Sequence, residues 1–218
     1  MSISRKHTVS GNVRNDSPVT RTYRKKRRAD LEQQTHQRII EAAIELHQAE
    51  GGGATISAIA ERAGVGRVTL YRHFPTELAL LSACTGHYMS LNPPPDLDNW
   101  ASIGNPVERL KHGLTETYAY HRRTEEIMTV AEHQVAANPV LADLLKPLEA
   151  YWATAKAILA AGWNENAGAP PLVEETIGLA LSLPAWRILT RQQGLADSDC
   201  VTLFVTTIRN LACRDDCS

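Results

Sequence analysis

Apolar residues between Ala54 and Leu81 recur at helical spacing in two short runs separated by a glycine. Ile56, Ile59, Ala60 and Ala63 fall at i, i+3, i+4 and i+7, one buried face of a first helix for which Thr55 is the candidate cap. Gly64 stops it, because glycine accepts the left-handed backbone of a tight inter-helix turn, and Val65 drops into the angle between the helices. The second run, from about Arg67 to Phe74, turns Leu70 and Phe74 inward and leaves Arg67, Val68, Thr69, Tyr71, Arg72 and His73 on the outward side. Two helices joined in this way make a helix-turn-helix, whose second helix is shaped to enter a DNA major groove.

The same periodicity organises the rest of the chain. A helix is expected from about Leu31 to Glu50, capped by Asp30, packed through Ile39, Ile40, Ala43 and Leu46 and ended by Gly51 to Gly53. His47 lies on that face as an ordinary core or edge residue. Pro75 and Thr76 open a fourth helix from about Glu77 to Leu91, a lever whose first turn sits beside the recognition helix. Asn92 to Pro106 is too rich in proline for regular helix and is expected to be a connector. Beyond it come stripes at Val107, Leu110, Leu114, Tyr118 and His121, at Ile127, Val130, Ala131 and Gln134, and at Leu141, Leu144, Leu145, Leu148, Trp152 and Leu159. Asn138 and Pro139 divide the second stripe from the third, and Gly162 to Pro171 is a loop. Two last helices are expected, about Leu172 to Gln193, kinked or delayed by Pro184, and Asp197 to Ala212. With neither strand alternation nor internal repeats, the fold class is all-α.

Composition adds one asymmetry. The 218 residues are 43% hydrophobic and 22% charged, ordinary for a globular protein, and the formal net charge is −1. Nine Lys/Arg against two acids give residues 1–30 a charge of +7, leaving −8 on the remainder. An acidic body with a basic end suits a protein that touches nucleic acid at one end only. Residues 1–30 are expected to be a disordered basic arm. Within it Arg24, Lys25, Lys26, Arg27 and Arg28 either bind DNA, as a phosphate-neutralising or minor-groove arm, or merely solvate a tail. No apolar run approaches a membrane span or a signal-peptide core, so a cytoplasmic protein is expected. Cys84, Cys200, Cys213 and Cys217 have no zinc-site spacing. They are structural thiols or, for Cys213 and Cys217, a redox switch.

The stretch IAERAGVGRVTLYRHFPTELALL resembles the DNA-binding signature of tetracycline-repressor-like (TetR family) transcriptional regulators, and the resemblance covers about Gln37 to Leu81. It implies an all-helical homodimer with a three-helix DNA-binding domain, here over residues 31–81, and a larger helical domain over 82–218 for a small ligand and for dimerisation. Two positions depart from the family pattern: Gly66 offers no capping oxygen at the start of the recognition helix, and Glu77 replaces a common lysine that approaches a phosphate. Arg67 is the candidate base contact through its forked guanidinium, Thr69 meets a thymine methyl or a phosphate, and Val68 and Thr55 complete the expected DNA-contacting set. Tyr71 and His73 hold phosphates by resemblance, and Arg72 adds charge at the groove edge. The family's dimer interface implies that Val201, Phe204, Val205, Ile208 and Leu211 pair with a second copy, the alternative being the core of a monomer.

Tyr118, His121, Met128, His133 and Trp152 combine apolar mass with a few hydrogen-bonding tips and form the candidate effector site. No catalytic motif, metal-ligand set or cofactor fingerprint is visible, and no catalytic residue, metal or cofactor is assigned. The expected protein is a DNA-binding regulator, a repressor, that holds a near-palindromic operator as a dimer and is released by a small apolar or aromatic ligand. The alternatives are a constitutive or thiol-responsive regulator and, from another class, a helical interaction protein or an enzyme.

Overall fold

Prolines and short polar caps set where the helices begin. The computed structural model describes residues 18–49, 54–163 and 171–215, and every regular element among them is helical. The head comprises α1 (Pro18–Ala49), α2 (Ile56–Arg62), α3 (Arg67–His73) and the first half of α4 (Glu77–Leu91). The body comprises α5 (Leu97–Ala101), α6 (Pro106–Val135), α7 (Pro139–Ala160), α8 (Pro171–Leu181), α9 (Leu183–Arg187), a π turn (Ile188–Gln192) and α10 (Asp197–Asp215). Thr55 and Thr76 accept from the backbone amides of Ala58 and Ala79 at 3.2 and 3.1 Å, and Asn105 and Asn138 cap α6 and α7 just ahead of Pro106 and Pro139. Gly64 makes the inter-helix turn at φ 65°.

Two apolar cores result. In the head, Ile39 and Ala43 of α1 close over Ile59, Ala60, Leu70 and Phe74, and Leu80 and Cys84 of α4 complete the cluster. In the body, Leu110, Leu114 and Tyr118 of α6 meet Leu159, Ile177, Trp186, Phe204 and Ile208. Helix α4 belongs to the head core through Leu80 and Cys84 and also touches α7 of the body, so it bridges the two.

Three expectations are corrected. The basic segment is not an arm up to residue 30: from Pro18 onward it is the first turns of α1, because Arg, Lys, Ala, Leu, Glu and Gln are strong helix formers and proline suits the first helical position. Residues 1–17, the Gly51 to Gly53 stop and most of the 162–171 loop lie outside the described residues. The connector contains a helix, α5, capped by Asp96, whose Trp100 is fully buried and donates from Nε1 to Glu116 at 2.6 Å. Gly113 makes room for it: a Cβ there would stand 2.8 Å from Leu159 and 3.3 Å from Trp100.

The third correction concerns α10. Val201, Phe204 and Ile208 turn into the body core of their own chain, and Val205 and Leu211 pack half-buried against it. The side chains on the opposite face, Thr202, Leu203, Thr206, Thr207 and Asn210, are exposed. A single apolar stripe cannot serve two interfaces, and α6 and α8 take it first.

Pro184 ends α8 instead of kinking it. Its ring nitrogen has no proton to give the Ala180 carbonyl, and the amide of Ala185 turns to the Ser182 hydroxyl, so two carbonyls at the α8 terminus lose their helical donors. Side chains of α6 replace them: the Tyr118 hydroxyl donates to Ala180 O at 3.2 Å, and His121 Nε2 donates to Leu181 O at 2.9 Å.

Because the α10 stripe is intramolecular, Ile208→Ala is expected to cost about 2 to 5 kcal/mol of folding stability. Phe204→Asp should abolish cooperative unfolding instead of yielding a folded monomer. Thermal denaturation with size-exclusion chromatography checks both; a folded, monomeric Phe204→Asp protein with parental melting temperature would return the stripe to a dimer interface.

Candidate functional site

The recognition helix presents a clean outward face. Leu70 is buried and Phe74 nearly so, which fixes the roll of α3 on the head core. Val68 is left 86% exposed and Tyr71 41%, with Arg67 and Arg72 also in solvent. Arg67, Val68, Tyr71 and Arg72 thus stand together as the sequence placed them, on the first and second turns of one short helix. Thr69 is half-buried, and Thr55 uses its hydroxyl to cap α2.

His73 is different. Its ring meets His36 edge-on at 6.0 Å, and its Nε2 is buried with no partner. His36 in turn lies on Phe74 at 4.5 Å, and burial together with the His73 charge holds its pKa below the ordinary histidine value. His73 is a packing residue at the back of the recognition helix, turned towards α1. The two family departures have local reasons. Gly66 opens α3 in extended backbone with no side-chain cap, and Glu77 sits in the first turn of α4, where the helix dipole favours an acid.

The expected effector residues divide. His121, Met128 and Trp152 line a body cavity of about 450 Å³ together with Tyr120, Leu145, Leu148, Leu181 and Leu183, and Glu132, Glu149 and Lys156 stand on its wall. The rings of Tyr120 and His121 each lie 5.7 Å from Trp152, and the Tyr120 hydroxyl is buried without a partner. Tyr118 stands behind this wall, fully buried and bound to α8. His133 is not in the cavity. It is exposed and borders a cleft between the head and the α6–α7 corner, whose other walls include Arg67, Tyr71, Glu77 and Asn138.

A smaller cavity of about 90 Å³ joins the two regions, lined by Leu81, Cys84 and Tyr88 of α4 and by Met128, Ala131, Gln134 and Leu145. Met128, Ala131 and Leu145 border both cavities, so the last two turns of α6 form one wall shared between the body and the lever.

His121 is neutral in this setting. A carbonyl can only accept, so Nε2 carries the proton and Nδ1 is an acceptor. Burial pushes its pKa down to about 4. Burial likewise raises the Cys84 thiol to about 12 and lifts that of Cys200, which keeps both protonated; Cys213 is exposed and Cys217 lies outside the described residues.

Sequence reasoning missed Tyr120 and Lys156 as cavity residues and missed the helical state of Tyr23 to Arg28. The last had a signal in the unbroken run of helix formers after Pro18. Tyr120 had none, since its neighbours on α6 carry the same stripe.

A three-helix head with an outward recognition helix, joined by a lever to a hollow helical body, is the architecture of a helix-turn-helix transcriptional regulator. Residues 39–84 match the family of bacterial regulatory proteins, tetR family. Over these residues the chain is similar to TetR-family transcriptional regulators. It is 42% identical over 78 residues to the HTH-type transcriptional regulator SrpR of Pseudomonas putida, a match spanning 33% of this chain and 37% of SrpR. The fold is also that of a HlyIIR mutant protein, at TM-score 0.59 and 20% identity over 80% of this chain and 95% of that one. AibR in complex with isovaleryl coenzyme A and operator DNA is similar at TM-score 0.55 and 20% identity, over 79% and 97% of the two chains. Among the described residues no helix is long and apolar enough to cross a membrane.

Two outcomes are expected. Arg67→Ala should lower discrimination at one operator base by about 1 to 3 kcal/mol while leaving affinity for random duplex nearly unchanged, measured by fluorescence anisotropy on single-base variants. A uniform loss on all sequences would make Arg67 a phosphate contact. His121 has a folded pKa near 4 against 6.5 unfolded, so the unfolded chain binds the extra proton between these values. Stability from this group is full above about pH 6.5 and falls by roughly 3 kcal/mol as the pH drops to 4. His121→Gln should flatten that part of the stability curve in urea titrations; a slope identical to the parent's would show that other groups carry it.

Proposed function

We propose that this protein is a cytoplasmic, dimeric repressor that holds a near-palindromic operator through two copies of α3 and lets go when an apolar or aromatic small molecule enters the body cavity. The observation that carries this reading is the shared α6 wall. Met128 and Ala131 border the cavities, and His133, Gln134 and Ala137, within two further turns, border the cleft beside Arg67 and Tyr71. Bulk that moves this end of α6 meets α4 and the recognition helix next, so the spacing of the two heads changes.

The ligand chemistry follows from the walls. Apolar side chains and the aromatic rings of Tyr120 and Trp152 favour a mostly apolar, ring-bearing compound, and the His121 acceptor and the free Tyr120 hydroxyl offer it one or two hydrogen bonds. Lys156 is already paired with Glu174 and Glu175, which argues against an anion as the ligand. AibR, with an acyl coenzyme A and DNA both bound, supports a joint role for this fold.

The dimer surface moves to the face that the fold leaves open. Leu172 and Leu179 lie seven residues apart on α8 and are 67% and 57% exposed, and Leu203 of α10 is 45% exposed. Apolar positions two turns apart on one face, beside a helix whose polar side chains are short, suit isologous helix pairing.

Selection of duplexes from a random library should recover an inverted repeat. Leu179→Asp should turn the dimer into a folded monomer and weaken binding to that repeat far more than to a single half-site, as read by light scattering and anisotropy. A parental dimer, or a selected site without two-fold symmetry, would contradict the reading. Among compounds that raise the melting temperature and release the repeat, Trp152→Ala should weaken both effects together; a variant with unaltered responses would place the ligand elsewhere.

A further inference from the structure

Helix α1 is longer than the head needs. Its first buried residues are Ile39 and Ile40, yet it begins at Pro18, and every side chain from Thr22 to Gln34 is exposed. A helix polar on all sides gains nothing from a core, so its persistence rests on intrinsic propensity and its use lies outside the fold.

Its direction is fixed at the other end. The C-terminal part of α1 packs on α4 and α6 in the body direction, while Arg28, Leu31, Glu32 and Thr35 share a groove with Arg72 and His73 at the end of the recognition helix. Residues 18–27 continue past that point, away from the body, for about 15 Å at the helical rise. Arg24 stands one turn before Arg28 on the side that faces α3, and Lys26, some 200° round from Arg24, stands on the opposite side.

We propose that the N-terminal turns of α1 are a second, preformed DNA contact: a rigid basic helix that lies against phosphates flanking the bases read by α3, with Arg24 and Arg28 continuing the row begun by Arg72. This rests on the DNA-binding reading above. The occupant is duplex backbone, because the row is continuous with the recognition helix and because the chain beyond residue 30 carries −8, which steers a polyanion to this end alone. The contact reads no sequence. Being helical before binding, it avoids the ordering cost of a flexible arm and holds its charges at a fixed distance from α3. The protected DNA is accordingly longer than the two half-sites.

The test uses the full chain and the duplex it selects from a random library, in a long form and in a form trimmed to the two half-sites. The parent should bind the long form more tightly. The double variant Arg24→Ala with Arg28→Ala should lose that preference and lower the slope of log K against log salt by about 0.9 for each phosphate contact removed. Lys26→Ala should change the slope less. Ala29→Pro keeps every charge but breaks the helix after Arg28, and it should behave like the double variant while the head keeps its melting temperature. The inference is overturned if the parent binds both forms alike, if the double variant keeps the parental slope, or if Ala29→Pro binds the long form as the parent does, which would mean a flexible tail. A parent that selects no duplex at all would instead overturn the DNA-binding reading on which the inference rests.

Discussion

Thirty residues of α6 hold this molecule together, and the constraint that matters is the pair of hydrogen bonds from Tyr118 and His121 to the broken end of α8. Pro184 deprives that helix end of a donor, and the two side chains restore what the backbone lost. Since an unsatisfied buried carbonyl costs about 1 to 3 kcal/mol, the α8–α9 break can exist only where α6 supplies those donors. The position of α6 is thereby pinned in the body at its middle, and its last turns are left to border cavities, lever and cleft. One rigid element with a fixed waist and a free end is a physical means of carrying displacement from body to head.

Charge is arranged along the same axis. Around the pinned waist, Arg122 pairs with Asp197 at 2.7 Å and Arg191 with Glu125 at 2.6 Å, and both guanidinium groups lie over Trp186. These pairs are partly exposed and individually worth little, but they tie α6 to the π turn and to the start of α10. Exposed positive charge also stands on α3, at Arg67 and Arg72, and on the first turns of α1.

The head was legible because its chemistry is local. Thr55, Gly64, Leu70 and Phe74 each do in the structure what their spacing announced, and Thr76 caps α4 over the expected residues Glu77–Leu91. The body was less so, since a helical stripe does not say what covers it. Phe204 and Ile208 could have met a second chain or their own, and only the placement of α6 and α8 decides. Tyr118 and His133 carried the right chemistry for a pocket, yet one is consumed by the α8 terminus and the other lies beyond the cavity. The helical start of α1 was hidden by its charge: a run of Lys and Arg suggests an arm, although the same residues are good helix formers.

Coupling between the cavity and the recognition helix is the centre of the account, and reciprocity tests it most directly. A compound that releases the selected operator is titrated into the protein alone and into the protein saturated with operator, and its Kd is compared. The account predicts that operator weakens the compound by the same factor by which the compound weakens operator, about 5- to 150-fold for typical coupling. A compound Kd that is unchanged by saturating operator would contradict it.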